Sequence, residues 1–221
     1  LGRMATIVLG RRAEAGLAGG DLPWLGAAML CGGVAGPVLL MIGLARVSAG
    51  AASLLLTLEG VATALLAWFL FRENFDRRIF AGMAAIVAGA AVLAWQPGAS
   101  LDGVLGPLAI LGACVAWGLD NNLTRKVSLA DPVQIAMLKG LIAGPTSIVL
   151  ALALGASPPG AGVVATAALV GFLGYGVSLV LFVLALRHLG AARTGAYFST
   201  APFLGAGFAV PLLGEQPANA G

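Results

Sequence analysis

The stretch FRENFDRR, residues 71–78, packs five charged side chains into eight positions of a chain in which only 10% of residues are charged. On either side the sequence is almost unbroken Leu, Ala, Val, Ile and Gly. A charged turn between two long apolar runs is the pattern of a loop joining membrane spans. Composition agrees: 60% of the 221 residues are hydrophobic, 33 are glycine, and mean hydropathy is +1.00. That leaves too little polar surface to clothe a water-soluble domain of this length. The bilayer is therefore the expected solvent, and runs of about 20 apolar residues are the structural unit.

Seven complete runs follow, over roughly 23–45, 48–71, 79–95, 104–123, 132–154, 163–186 and 194–213. Turn-rich breaks such as QPGASLDG, SLADP and GASPPGAG separate them. The runs are continuous rather than alternating, which favours helices over a barrel. MATIVLGRR, near the start, reads as the tail of a partial eighth span. Counting loops from Arg11 and Arg12, one face carries those two with Arg72, Arg77, Arg78, Arg125, Lys126, Arg187 and Arg193. The opposite face carries Arg46 alone. The arginine-rich loops are thus expected in the cytoplasm, and the chain in a plasma (bacterial inner) membrane. The arginines of FRENFDRR need do nothing more than orient the protein.

The glutamate of that loop has a different origin. Sliding the chain on itself by 142 positions lays residues 32–73 over 174–215 without a gap. Nine of those 42 positions are identical, among them Gly32/Gly174, Leu44/Leu186, Ala49/Ala191 and Glu73/Glu215. Five spans separate equivalent points, and an odd number inverts one copy relative to the other. Glu73 belongs to the repeated unit, whereas the arginines belong to one face. Inverted repeats of this kind typify secondary transporters, with the substrate site at the repeat interface near midplane.

The segment GLARVSAGAASLLLTLEGVATALLAWFLFRENF, followed by a span with Gly82 and Gly89, resembles the second half of an EamA domain. ACVAWGLDNNLTRK resembles the opening span of a second EamA unit, and LRHLGAARTGAYFSTAPFLGAGFAVPLLGEQP resembles its later part. The resemblance covers nearly the whole chain and implies the drug/metabolite transporter superfamily, which are ten-helix inverted-repeat carriers working without ATP. The expected fold is an all-α integral membrane bundle of two inverted EamA-like repeats, with seven complete transmembrane helices and a partial one. Residues 1–96 form the first repeat, short at its N-terminus, and 104–221 the second, lacking its last helix. One departure stands out. Where such units often carry proline in the fourth span, as at Pro202, the first copy reads TLEGV, so that Glu59–Gly60 faces Ala201–Pro202.

Glu59 lies about twelve residues from either end of its span, where an ionised group is costly and usually faces a cavity or a partner. It is a candidate for proton coupling or for binding a substrate ammonium; the plain alternative is a carboxyl hydrogen-bonded within the bundle. Asp120 and Lys139 flank the turn near Leu129 at similar depth, so an antiparallel hairpin can pair them. Trp117, Asp120, Asn121 and Thr124 share one helical stripe by spacing. Tyr197 aligns with Leu55, one turn before Glu59, and Tyr175 shares a face with Ser178; for both tyrosines, packing with a satisfied hydroxyl is an equal alternative. The candidate cavity or coupling residues are therefore Glu59, Trp117, Asp120, Asn121, Lys139, Tyr175 and Tyr197. Glycines at 32, 33 and 36, and at 171, 174 and 176, suit close helix contact, and Pro37, Pro145, Pro202 and Pro211 suit kinks.

The catalytic inventory is thin. The lone His188 sits in a loop, Cys31 and Cys114 lack ligand spacing, and no phosphate loop occurs. No enzyme, cofactor, metal site or nucleic-acid partner is expected. The expected function is secondary-active transport of a small amine-bearing metabolite such as an amino acid, in the export direction to which the resemblance leans. The partners are that substrate, membrane lipid and a coupling proton, with a homodimer left open. Two alternatives remain: a seven-helix receptor or photoreceptor-like protein, and an assembly subunit that transports nothing.

Overall fold

The computed structural model describes residues 14–47, 49–74, 76–94 and 103–201. Within them every regular element is helical, consistent with an all-α integral membrane protein. Helix α1 spans Gly19–Leu44. Asp21 accepts a hydrogen bond from the Ala18 N–H at 2.9 Å, and Pro23 occupies the first turn, where its missing N–H costs nothing. Helices α2 (Ala49–Leu56) and α3 (Leu58–Phe69) follow. The charged loop then leads to α4 (Arg77–Ala94) and, beyond it, α5 (Leu105–Val127). Helix α6 (Pro132–Ala153) is capped by Asp131, whose carboxylate accepts the Val133 N–H at 2.8 Å. Helix α7 spans Ala161–Leu189, and Gly190, at φ +85°, turns the chain into α8 (Ala191–Phe198).

Helix α5 is the hub, packing against α1, α2, α3, α7 and α8. Small residues along it let the neighbours approach: a Cβ at Gly118 would stand 3.0 Å from the Thr63 backbone nitrogen. Three buried clusters surround this hub. Ala64, Ala67, Trp68, Met83, Leu186 and Ala191 join α3, α4, α7 and α8. Leu25, Val127, Ile135 and Val183 join α1, α5, α6 and α7, and Ala52, Ile110 and Cys114 join α2 to α5. Outward, large apolar side chains are exposed along α6 and α7, among them Leu141, Ile148, Val149, Leu169 and Phe172. A surface of that composition is stable only against lipid or further helices. Four described helical spans are long and apolar enough to cross a membrane: Gly19–Leu44, Ala51–Phe69, Pro132–Ala153 and Ala161–Leu189.

Three features depart from the straight spans expected. The run over 48–71 is broken at Thr57, between α2 and α3. Two carbonyls near that break are approached by neighbours: Cys114 donates its thiol to Leu55 at 3.5 Å, and the Ser199 hydroxyl, which donates to Gly195 at 2.9 Å, also lies 3.4 Å from the Thr57 carbonyl. Helix α1 widens into a π-helix over Met29–Ala35, and α7 does the same over Phe172–Val177. The second glycine set also behaves differently from the first. Cβ atoms at Gly32, Gly33 and Gly36 would each meet another helix within 4 Å, whereas at Gly171 and Gly174 nothing among the described residues lies that close. Arg11, Arg12, Gly89, Pro202, Pro211 and Glu215 bear on the expectations above but lie outside the described residues or their described side chains.

Candidate functional site

A cavity of about 500 Å³ lies between α1, α3, α5, α6, α7 and α8. Six of the seven residues singled out from the sequence line it: Glu59, Trp117, Asp120, Asn121, Lys139 and Tyr175. Tyr197 does not; it is exposed, and its neighbour Phe198 contributes the aromatic wall instead. Both lie on α8, about 100° apart around its axis, and the face that reaches the cavity carries the residue one position on from the one the alignment selects.

Helix α5 presents its polar stripe to this space. Asp120 and Lys139 are both buried, at 7% and 4% exposure, and the ammonium lies 2.6 Å from the carboxylate. Thr124 completes a triangle, donating to Asp120 at 2.9 Å and accepting from Lys139 at 3.0 Å. Gly32 on α1 faces the same carboxylate so closely that a Cβ there would overlap it. Asn121 uses its amide N–H groups on α3, donating to Glu59 Oε1 at 3.2 Å and to Thr63 Oγ1 at 3.0 Å. Asn122 anchors the same seam by donating to the Thr63 carbonyl at 3.0 Å and to that of Gly118 at 2.8 Å. Thr63 was not singled out from sequence, although its position one helical turn beyond Glu59 places both on one face.

Charges in the cavity do not balance. Among the described residues Lys139 is the one basic side chain lining it, and it is committed to Asp120. Glu59 is left with an amide donor and no cation among the described residues. Aromatic rings of Trp117, Tyr175, Phe182 and Phe198 make up much of the remaining wall. The space therefore offers a carboxylate beside an aromatic surface, a combination suited to a cation carrying an apolar body.

At the arginine-rich end the helices are tied together. The Glu73 carboxylate accepts the Ala191 N–H at 2.9 Å and the Ala192 N–H at 3.2 Å, capping α8. It also lies 2.7 Å from Arg125 Nε at the end of α5. Arg193 pairs with Asp76 at 3.2 Å, and Arg187 reaches Glu14 and the carbonyls of Ser128 and Ala130. Asp76 accepts the Arg78 N–H at 2.9 Å, and this bond, more than the Arg193 charge, holds its carboxyl below the ordinary aspartate range. A carboxyl with a lowered folded-state pKa contributes stability that is complete above its unfolded value and is lost as pH falls through the folded value. Asp76→Ala is accordingly expected to lower Tm at neutral pH and to lose that difference in acid below about pH 4. Thermal melts of both proteins across pH check this.

A match to the EamA-like transporter family spans residues 4–95 and 104–220. The chain belongs to that family. A stretch of 157 residues, 68% of this EamA protein, is 30% identical to a protein of Methanothermobacter thermautotrophicus named "Uncharacterized transporter". The match covers 46% of that relative, so the chain spans less than half of the curated protein it resembles. With the apolar helices and the helical fold, these findings make the chain a multi-pass membrane protein of the EamA-like transporter family.

Proposed function

We propose that this protein carries a small amine-bearing metabolite, such as an amino acid with an apolar or aromatic side chain, across the plasma membrane, driven by a proton gradient. One observation carries the reading: among the described residues the cavity holds two carboxylates, Glu59 and Asp120, against the single ammonium of Lys139. The unmatched carboxylate calls for a cation, and a proton and a substrate ammonium compete for the same place. Competition of that kind couples an outward substrate to an inward proton, which agrees with the export direction suggested by the family resemblance. The arginine-bearing loops then face the cytoplasm.

The mechanism in this reading is alternating access between two inverted repeats, over residues 1–96 and 104–221. Internal correspondences at the sequence offset of 142 support it. The π-helix over Met29–Ala35 matches the one over Phe172–Val177, and Thr57 is hydrogen-bonded to Ser199, its own counterpart 142 positions on. Contact between equivalent residues is what a pseudo-twofold axis passing between them requires.

The test is uptake into proteoliposomes of radiolabelled phenylalanine, phenethylamine and, as an anionic control, glucose 6-phosphate, with and without an imposed pH gradient. The proposal expects the two amines to accumulate against the gradient and pyranine inside the vesicles to report proton movement with them. Transport of the phosphate ester but not of the amines would overturn it.

A further inference from the structure

The π-helix of α1 takes the usual α-helical donor away from the Gly32 carbonyl. In an α-helix the Gly32 carbonyl would take the N–H of Gly36, but that N–H is turned to Cys31, five residues back. In a continuing π pattern it would take the N–H of residue 37, which is proline and has none. An orphaned carbonyl in the membrane interior is costly. Trp117, on α5, supplies the missing donor: its indole Nε1–H points at the Gly32 carbonyl at 3.1 Å. Beneath the indole, Gly36 leaves the necessary room, for a Cβ there would stand 2.5 Å from Nε1. In α7 the matching π-helix has Leu179 at the position equivalent to Pro37, so a main-chain donor is present there.

We infer that Trp117 is a positioning residue, acting through the Gly32 carbonyl to hold the π turn of α1 against the Asp120–Lys139 pair. The consequence lies in the cavity. Gly32 packs directly on the Asp120 carboxylate, and Gly32, Pro37 and Trp117 all line the space. A π turn can relax to α geometry by slipping one residue, which rotates everything beyond it by about 100°. The indole–carbonyl bond opposes that slip. Trp117 therefore governs how readily α1 changes register at the site, rather than only presenting an aromatic surface to cargo. This inference rests on the carrier reading above for its transport readout, but not for its structural one.

The decisive experiment is a rescue. Trp117→Phe keeps the ring and removes the donor, while Pro37→Ala restores a main-chain N–H five residues beyond Gly32. In proteoliposomes with radiolabelled phenylalanine, Trp117→Phe is expected to change maximal exchange on the order of 10-fold, with half-saturation moved less than about 2-fold. Adding Pro37→Ala should return exchange to within about 2-fold of the wild type. A ring that merely binds cargo would raise half-saturation instead, and Pro37→Ala would not repair it. That result overturns the inference. Spin labels on α1 either side of Gly32 give a second readout that needs no cargo. Trp117→Phe should broaden or shift their distance distribution and the double variant should restore it. An unchanged distribution in Trp117→Phe, or no restoration, also overturns the inference, whatever phenylalanine does. If phenylalanine is not carried by the wild type while the spin-label rescue succeeds, the substrate reading fails and the positioning role stands.

Discussion

Replacing Lys139 by methionine is expected to destabilise the fold by about 3–5 kcal/mol, among the largest effects of any single substitution in this chain. The reasoning is one of desolvation. Asp120 is 7% exposed, Gly32 presses on it from α1, and Thr124 supplies a single hydroxyl donor. With Lys139 gone the carboxylate keeps its burial and loses the only ammonium within reach among the described residues. Methionine fills comparable volume, so the loss reports the charge rather than a void. The double variant Asp120→Asn with Lys139→Met removes both charges and leaves Thr124 a neutral partner. It is expected to recover most of the lost stability, because well-packed neutral groups replace a buried pair at little cost. Exchanging the two charges would be a poorer test, since a lysine at position 120 has no room opposite Gly32. Detergent-solubilised melts of the wild type, both single variants and the double variant close the cycle. If Lys139→Met melts within a degree or two of the wild type, the pair does not hold α5 to α6 and the account of this wall is wrong.

That pair was legible from sequence because both residues lie a fixed number of positions from one short turn, and an antiparallel hairpin leaves little choice about their depth. The broad fold was legible for a similar reason: apolar length and loop charge are local properties. What escaped is set by contacts between distant segments. Nothing local marks Thr57 as a helix break; its surroundings are Leu and Leu, and the donor reaching its carbonyl comes from Ser199. Glu73 was visible as a repeated residue but not as the cap of α8, because Ala191 is 118 positions away. The two glycine sets look alike in sequence. Gly32 and Gly36 meet Asp120 and Trp117 on α5, yet Gly174 borders the open cavity and Gly171 meets nothing among the described residues. Tyr197 was chosen by alignment with Leu55, but the face of α8 that meets the cavity carries Phe198.

The two ends of the site are unequal in a way that bears on mechanism. Glu73, Asp76 and Arg187 stitch the arginine-rich end with bonds that run between segments far apart in sequence. Each of those contacts joins the first half of the chain to the second, or one end of α5 to the ends of α7 and α8. A carrier that changes access must break and remake such ties, and the solvated Arg193–Asp76 pair can be exchanged at modest cost. The buried Asp120–Lys139 pair is costlier to separate. Glu59 sits on the other wall, on α3, held through one amide of Asn121. Movement of α3 against α5 would then change the surroundings of Glu59 without disturbing the pair.

Glu59→Gln isolates that wall. Glutamine has the same shape, and its carbonyl oxygen still accepts the Asn121 amide now bonded at 3.2 Å. Stability should therefore move by less than about 1 kcal/mol. Transport should not survive in the same way. With the carboxylate gone, the described lining holds Asp120 against Lys139 and is neutral, so neither a proton nor a substrate ammonium has a charge to answer there. Losing a charge-assisted hydrogen bond costs enough to slow transport on the order of 100-fold. The residual rate should no longer respond to an imposed pH gradient. The two roles separate by experiment: if Glu59 handles only the proton, phenylalanine counterflow at equal pH persists in Glu59→Gln while gradient-driven accumulation disappears; if it also holds the ammonium, both disappear. Uptake unchanged in rate and in pH dependence would remove Glu59 from the mechanism. The unmatched carboxylate would then be a packing feature of α3, tethered by Asn121 and screened by whatever water the cavity holds.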